Sequence, residues 1–317
     1  MEGKSMSIKW IASLRGLFVL LVFFSHELTA IVDRDILLAI GKIGVAGFFL
    51  MSGYLAKTSI ESRNVKQFLL NRFVRLYPVY WILLFLMVFS ALLTHHHVWS
   101  VKETLANMTF FHQYMGIENM IGASWMLSIM VIFFVSIVFA VKKNNVNHIY
   151  ICFALGAIVC GCMRFYFQKP FPTAIFLMSC MGFLGFFYHK YGVCKKCICY
   201  LLLFEAVLLV SGCFSYENKI QFYEIAYNGA FLLFFLFDKK NVNVPVLGKL
   251  GTLGFTFFLG ADIPVYWMHY IMPMLKECFA LFFTIHFILC VVFSYLVTKY
   301  IEKPFIRRMK NAEKFLS

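Results

Sequence analysis

Charge is scarce in this chain. Asp, Glu, Lys and Arg together make up 14% of 317 residues, hydrophobic residues make up 62%, and mean hydropathy is +0.79. A water-soluble domain carries about 25% charged and roughly 45–50% apolar residues. A single core of this size cannot bury so much apolar side chain, which excludes a soluble globular protein and makes the bilayer the solvent. Acidic groups are the scarcer sign, 15 against 29 basic ones. The resulting charge of +14 does not mark a nucleic-acid surface, because the basic residues sit in short loops between apolar runs. Internal repeats, low-complexity tracts and an appended soluble domain are absent, so residues 1–317 read as one membrane domain. No small-residue cleavage site follows the first apolar run, which contains Arg15, so that run is expected to be retained rather than removed as a signal peptide. Of ten cysteines, six (Cys152, Cys160, Cys162, Cys180, Cys213, Cys290) lie inside apolar runs as small hydrophobes, not as a disulfide framework. Cys194 and Cys197 have C-x-x-C spacing but no second pair, and no metal site is expected.

What is abundant is apolar sequence in membrane-sized lengths. Ten stretches stand out: 8–32, 36–55, 76–93, 125–141, 149–167, 171–188, 198–214, 222–237, 253–272 and 279–298. Most reach the ~17–25 residues that cross a ~30 Å hydrocarbon layer. Lys and Arg alternate between the loops. Twenty-one fall on one side, in the segments that include Lys4, Lys9, residues 57–75, and the tail 299–317, and only five fall on the other. The rich side is assigned to the cytoplasm. The expected fold is therefore an all-α integral membrane protein of about ten transmembrane helices with cytoplasmic N- and C-termini.

The one long outer segment, 94–124, is polar and aromatic. Its His95, His96 and His97 are consecutive and do not project to one point, so a hydrated loop is the expectation. Asn107, Met108 and Thr109 form a nominal glycosylation sequon.

Ionisable residues at membrane depth are informative, because each costs about 2.5–3.5 kcal/mol on insertion scales and therefore faces a partner or a wet cavity. Arg15 and His26 interrupt the first apolar run. Eleven residues at about 100° each bring them to the same side of a helix, about 16 Å apart. In the later part of the second run, Gly44, Gly47 and Gly53 form a glycine-rich helix end suited to close helix approach. Arg72 and Arg75 follow, three apart on one helical face, a spacing that suits either bidentate phosphate binding or a grip on anionic lipid.

Taken in order, these features resemble acyltransferase family 3, the membrane O-acyltransferases of bacterial surface glycans. The resemblance is carried by Leu14, Arg15 and Gly16 with His26 after ten intervening residues, and by Gly44 and Val45 with Phe48, Phe49, Ser52, Gly53 and Tyr54. It continues in Arg72 and Arg75 with Tyr77 and Pro78, in Tyr266, Trp267, Met268 and His269, and in Ile301, Glu302, Lys303, Pro304 and Phe305. Many relatives carry two acidic residues after a W-S-L-S motif. Here Ser124, Trp125, Met126, Leu127 and Ser128 are followed by Ile129, Met130 and Val131, so the acidic pair is missing. No fused SGNH-type esterase domain is present, and hand-off to an outer acceptor then falls to this domain or to a separate extracytoplasmic partner.

The resemblance implies a multi-pass protein of the bacterial cytoplasmic membrane. Its activity would be transfer of an acyl group, most often acetyl, from cytoplasmic acetyl-CoA to a hydroxyl of a polysaccharide or lipid-linked glycan. His26 would be the base, with Glu27 as an orienting neighbour. Arg15 would tune the cavity of His26 or bind a CoA phosphate. Arg72 and Arg75 would clamp the CoA phosphates, with a pantetheine arm of ~15–20 Å to span the distance to His26. Trp125 and His269 would lie on the acceptor side. Glu302 is expected to anchor loop structure through a basic partner. The alternative is a membrane protein that binds or exports polysaccharide without chemistry.

Overall fold

The computed structural model describes residues 2–61, 65–95, 97–216, 219–272 and 278–308, with side chains from Lys9 onward. Arg63, His96, Lys276 and the tail from 309, with Lys310 and Lys314, lie outside the described residues, as does the side chain of Lys4. All regular structure among the described residues is helical. The helices are α1 (Glu2–Glu27), α2 (Arg34–Glu61), α3 (Val65–Leu93), α4 (Val101–Met108), α5 (Ser124–Lys142), α6 (Val146–Phe167), α7 (Thr173–Tyr191), α8 (Lys195–Ser215), α9 (Ile220–Lys240), α10 (Pro245–Gly260), α11 (Asp262–Ile271) and α12 (Phe279–Val297). A π-helical turn, Thr298–Glu302, prolongs α12.

Eight of the described helices are long and apolar enough to cross a membrane, and the bent pair α10–α11 makes nine. The chain is an all-α, multi-pass membrane protein. Of the ten expected spans, α7 is the one outside that set. It is 19 residues long, about 28 Å, but carries Ser179, Gly182, Gly185, His189 and Lys190 among its apolar residues. The reason is its position. Every residue from Leu177 to Tyr188 is buried, and α2, α6 and α8 pack against it. A helix that meets protein rather than lipid needs small residues for contact more than it needs hydrophobicity.

The chain forms two compact units. The first comprises residues 1–68 and 129–251, the second 69–128 and 252–317. In the first unit α2 packs against α1, α7 and α9. The glycine-rich stretch expected at a helix end lies instead in the middle of α2, whose 28 residues run on to Glu61. Its glycines serve two neighbours. A Cβ on Gly44 would lie 2.7 Å from the Phe18 carbonyl oxygen of α1, and one on Gly53 1.7 Å from that of Gly182 in α7. No other residue fits at Gly53, because the two backbones touch there.

In the second unit the expected span 253–272 is broken. α10 and α11 meet at a bend of 62° around Ala261. Pro264 explains the break, since it has no N–H for the carbonyl of Gly260 and its ring crowds that carbonyl. α12 bonds the backbone at the bend. His286 Nε2 donates to the Ala261 carbonyl at 3.0 Å, and Cys290 Sγ lies 3.8 Å from the same oxygen. Backbone groups at membrane depth need protein partners, and this bond gives the bend one.

Candidate functional site

α1 carries three of the expected residues, and its packing explains why they sit where they do. Leu14 and Phe18 are fully buried, while Arg15 between them is half-buried. The turn of Arg15 is pinned from behind. A Cβ on Gly16 would lie 2.0 Å from the Leu247 carbonyl oxygen, and one on Gly251 1.9 Å from that of Ala12, so α1 and the first turns of α10 are in backbone contact. Ser13 completes the joint, its Oγ accepting from Val244 N–H at 3.0 Å. Arg15 thus projects from a stretch of helix with little freedom to shift.

His26 lies in the last turn of the same unbroken helix and is exposed, and Glu27 beside it is half-buried. The expectation that Arg15 and His26 share a helix face holds, with about 16 Å of axial separation. The positions between them on that face, Val19 and Val22, are 1% and 6% exposed. The face is therefore polar at both ends and packed in the middle.

At the opposite end of this unit an aromatic cluster gathers around Tyr54. Trp10 lies 5.7 Å away, Phe234 5.4 Å and the ring of His189 4.3 Å. His189 Nε2 is 3.3 Å from Thr58 Oγ1, and Tyr188 donates its hydroxyl to Asp238 Oδ2 at 2.6 Å.

The second unit carries the remaining expected residues. α3 starts at Val65, eleven residues before the expected span, so Arg72 and Arg75 are fully helical. Arg72 is half-buried and Arg75 exposed. They flank Phe73, which stacks on Tyr77 at 4.6 Å and meets Trp81 edge-on.

His95 and His97 are exposed outside the helices, as a hydrated loop requires, and order begins at Ser100. Ser100 and Glu103 form a capping box at the start of α4. Tyr80 and Trp81 of α3 donate to the carbonyls of Asn107 and Met108, each at 3.0 Å. Asn107, the sequon residue, is fully buried. Its amide donates to the carbonyls of Glu103 and Glu118 and accepts from Met120 N–H at 3.0–3.1 Å. His112 is also fully buried, with Nε2 2.6 Å from Asn119 Oδ1 and 3.4 Å from Ser124 Oγ. Asn119 Oδ1 can only accept, so Nε2 carries the proton and Nδ1, which has no partner, is the bare acceptor. Burial holds the His112 pKa below the ordinary imidazole range, opposed in part by the bond to Asn119.

Trp125 is half-buried one residue past Ser124, at the start of α5. His269 lies on α11, stacked on Phe282 of α12 at 5.4 Å. Trp267 of the same motif donates its indole N–H to Ser90 Oγ of α3 at 3.0 Å. Glu302, expected in a loop beyond the last span, is helical, because α12 continues through the π turn. Its carboxylate accepts from Thr298 Oγ1 at 3.3 Å, and Thr298 Oγ1 is 2.7 Å from Thr256 Oγ1 of α10. These bonds tie Glu302 to the end of α12 and, through Thr298, to α10.

Two site-shaping residues escaped the sequence reading. His286 secures the break that places His269 on its own short helix, and Asp262, at the start of that helix, accepts from Gly122 N–H at 2.9 Å. The available signal was Gly260 followed by Pro264 inside an apolar run. A family model described as an acyltransferase domain matches residues 8–299, nearly the whole chain and all the motif positions up to His269. No curated protein and no solved structure matches.

Proposed function

For a chain that belongs to acyltransferase family 3, we propose transfer of an acetyl group from acetyl-CoA to a hydroxyl of a polysaccharide or lipid-linked glycan in the bacterial cytoplasmic membrane. The membrane acyltransferase class follows from the family match. The observation that carries it is the placement of Arg15 and His26 on one face of an unbroken helix whose Arg15 turn is locked by Gly16 and Gly251.

The chemistry requires a base, because a sugar hydroxyl is a weak nucleophile. His26 takes the hydroxyl proton as the oxygen attacks the thioester carbonyl. The C–S bond then breaks, the acyl group passes to oxygen, and CoA leaves as a thiolate that recovers the proton from His26. Glu27, the next residue, orients the imidazole. Arg15 supplies fixed positive charge to the cavity of His26 from a distance, or binds a donor phosphate. Arg72 and Arg75 hold donor phosphates, with Phe73 and Tyr77 beside them. Trp125 and His269 bind the acceptor, as aromatic rings commonly do with sugar faces. The missing acidic pair at Met130 and Val131 means that acceptor deprotonation draws on His26 rather than on a carboxylate in α5.

The test uses purified protein in proteoliposomes with labelled acetyl-CoA and glycan acceptor. Acceptor-dependent release of free CoA is expected. His26→Ala should abolish it, and Arg75→Ala should raise the donor KM with a smaller change in kcat. Release that ignores the acceptor, or that survives His26→Ala, would overturn the proposal.

A further inference from the structure

A concavity lies in the first unit, where α7, α8 and α9 converge. Its volume is about 430 Å³, and its walls include Tyr188 of α7, Cys197 and Leu201 of α8, and Asn228, Leu232 and Phe235 of α9. This is the size range of small-molecule sites, which are mostly apolar with few polar groups. The two polar side chains among these residues already have protein partners. Tyr188 donates to Asp238, and Asn228 donates to Glu205 Oε2 at 3.1 Å. What remains for an occupant is hydrocarbon. The groove opens outward, since Leu232 is 56% exposed. Along α9 it extends seven residues, about 10 Å.

One end of the groove is basic. Lys239 lies one turn beyond Phe235, with its ammonium 5.9 Å from the ring of that wall residue. Lys196 immediately precedes Cys197, and Lys190 and Lys196 both lie over Tyr191, at 5.1 and 4.8 Å. Lys195 and Lys240 are exposed beside them. The nearby carboxylate, Asp238, is engaged by Tyr188. A hydrocarbon slot with a cationic rim at one end matches an amphiphile whose tail is apolar and whose head is negative. Basic residues at a membrane surface attract anionic lipid, and here the slot gives the tail a fixed seat as well.

We propose that this groove binds one acyl chain of an anionic phospholipid, with Lys196 and Lys239 at its phosphate. The site is separate from the residues assigned to acyl transfer and does not depend on that activity.

The experiment is native mass spectrometry of the purified full chain in detergent, titrated with phosphatidylglycerol or with phosphatidylcholine of identical chains. The native chain is expected to retain phosphatidylglycerol with about a tenfold preference. Leu232→Trp, which fills the groove from an exposed position, should remove most of the bound lipid of either kind. The double variant Lys196→Gln and Lys239→Gln, at exposed positions, should reduce phosphatidylglycerol to the level of phosphatidylcholine without lowering the latter. Each variant is first shown to elute as a monodisperse peak. Equal retention of the two lipids by the native chain, or unchanged retention in Leu232→Trp, would overturn the proposal. Displacement by glycerol phosphate would reduce it to a headgroup contact, and displacement by acetyl-CoA would give the groove to the donor. Either result refutes an acyl-chain site.

Discussion

His286 donates from Nε2 to the carbonyl oxygen of Ala261 at 3.0 Å, across the break between α10 and α11. The bond ties a histidine in an apolar helix to the backbone at the bend. His286→Leu should therefore destabilise the protein by about 1–3 kcal/mol through loss of a buried hydrogen bond. Thermal unfolding in detergent measures this. His286→Gln, whose amide N–H can still donate, should lose less than His286→Leu. Equal losses from the two substitutions would contradict the pairing.

Backbone contact between α1 and α10 makes a sharper contrast. Gly251→Ala places a Cβ 1.9 Å from the Ala12 carbonyl, whereas Gly248→Ala, one turn away, meets Ser13 Oγ at an ordinary 3.7 Å. The first should yield little monodisperse protein, and the second should behave as native. Fluorescence-detected size exclusion reports both. Equal behaviour would mean that the two helices are not in contact at Gly251.

Acid should loosen the outer segment. The His112 pKa is lowered from its ordinary value of 6.5 by burial, so the folded state binds the proton more weakly than the unfolded state. That contribution to stability is intact above about pH 6.5 and is lost as pH falls toward the lowered folded value. Between pH 7 and pH 5 the native protein should lose thermal stability, and His112→Gln should flatten that slope. An unchanged slope would remove His112 as its source.

Asn107 should resist glycosylation. A buried amide with three backbone bonds is closed to a transferase, so expression in a eukaryotic secretory host should give no glycosidase-sensitive mass shift. Asn107→Ala should cost about 1–3 kcal/mol by leaving those partners open. A glycosylated, folded product would contradict the packing around this residue.

The membrane class and most span positions were legible because hydrophobic length and basic-loop alternation are local properties of the chain. The face shared by Arg15 and His26 was legible for the same reason, since it depends only on helical periodicity. The apolar length of α7 is legible in the chain, and its burial is not, because that is decided by the helices around it. The break at Ala261 was missed because continuous hydrophobicity outweighed Pro264. The order of the outer segment depends on Tyr80 and Trp81 reaching carbonyls 27 residues away, and no short window contains such pairs. The roles of Arg72 and Arg75 rest on residue type and family, as they did in the sequence.

The most direct measurement of the central claim is the ester-linked acyl content of surface polysaccharide from cells carrying the native chain, none, or His26→Ala at equal membrane level. Acyl transfer through His26 predicts that esters vanish both without the chain and in His26→Ala, while polysaccharide still reaches the surface. Unchanged ester content with loss of surface polysaccharide would contradict it and make the protein an exporter.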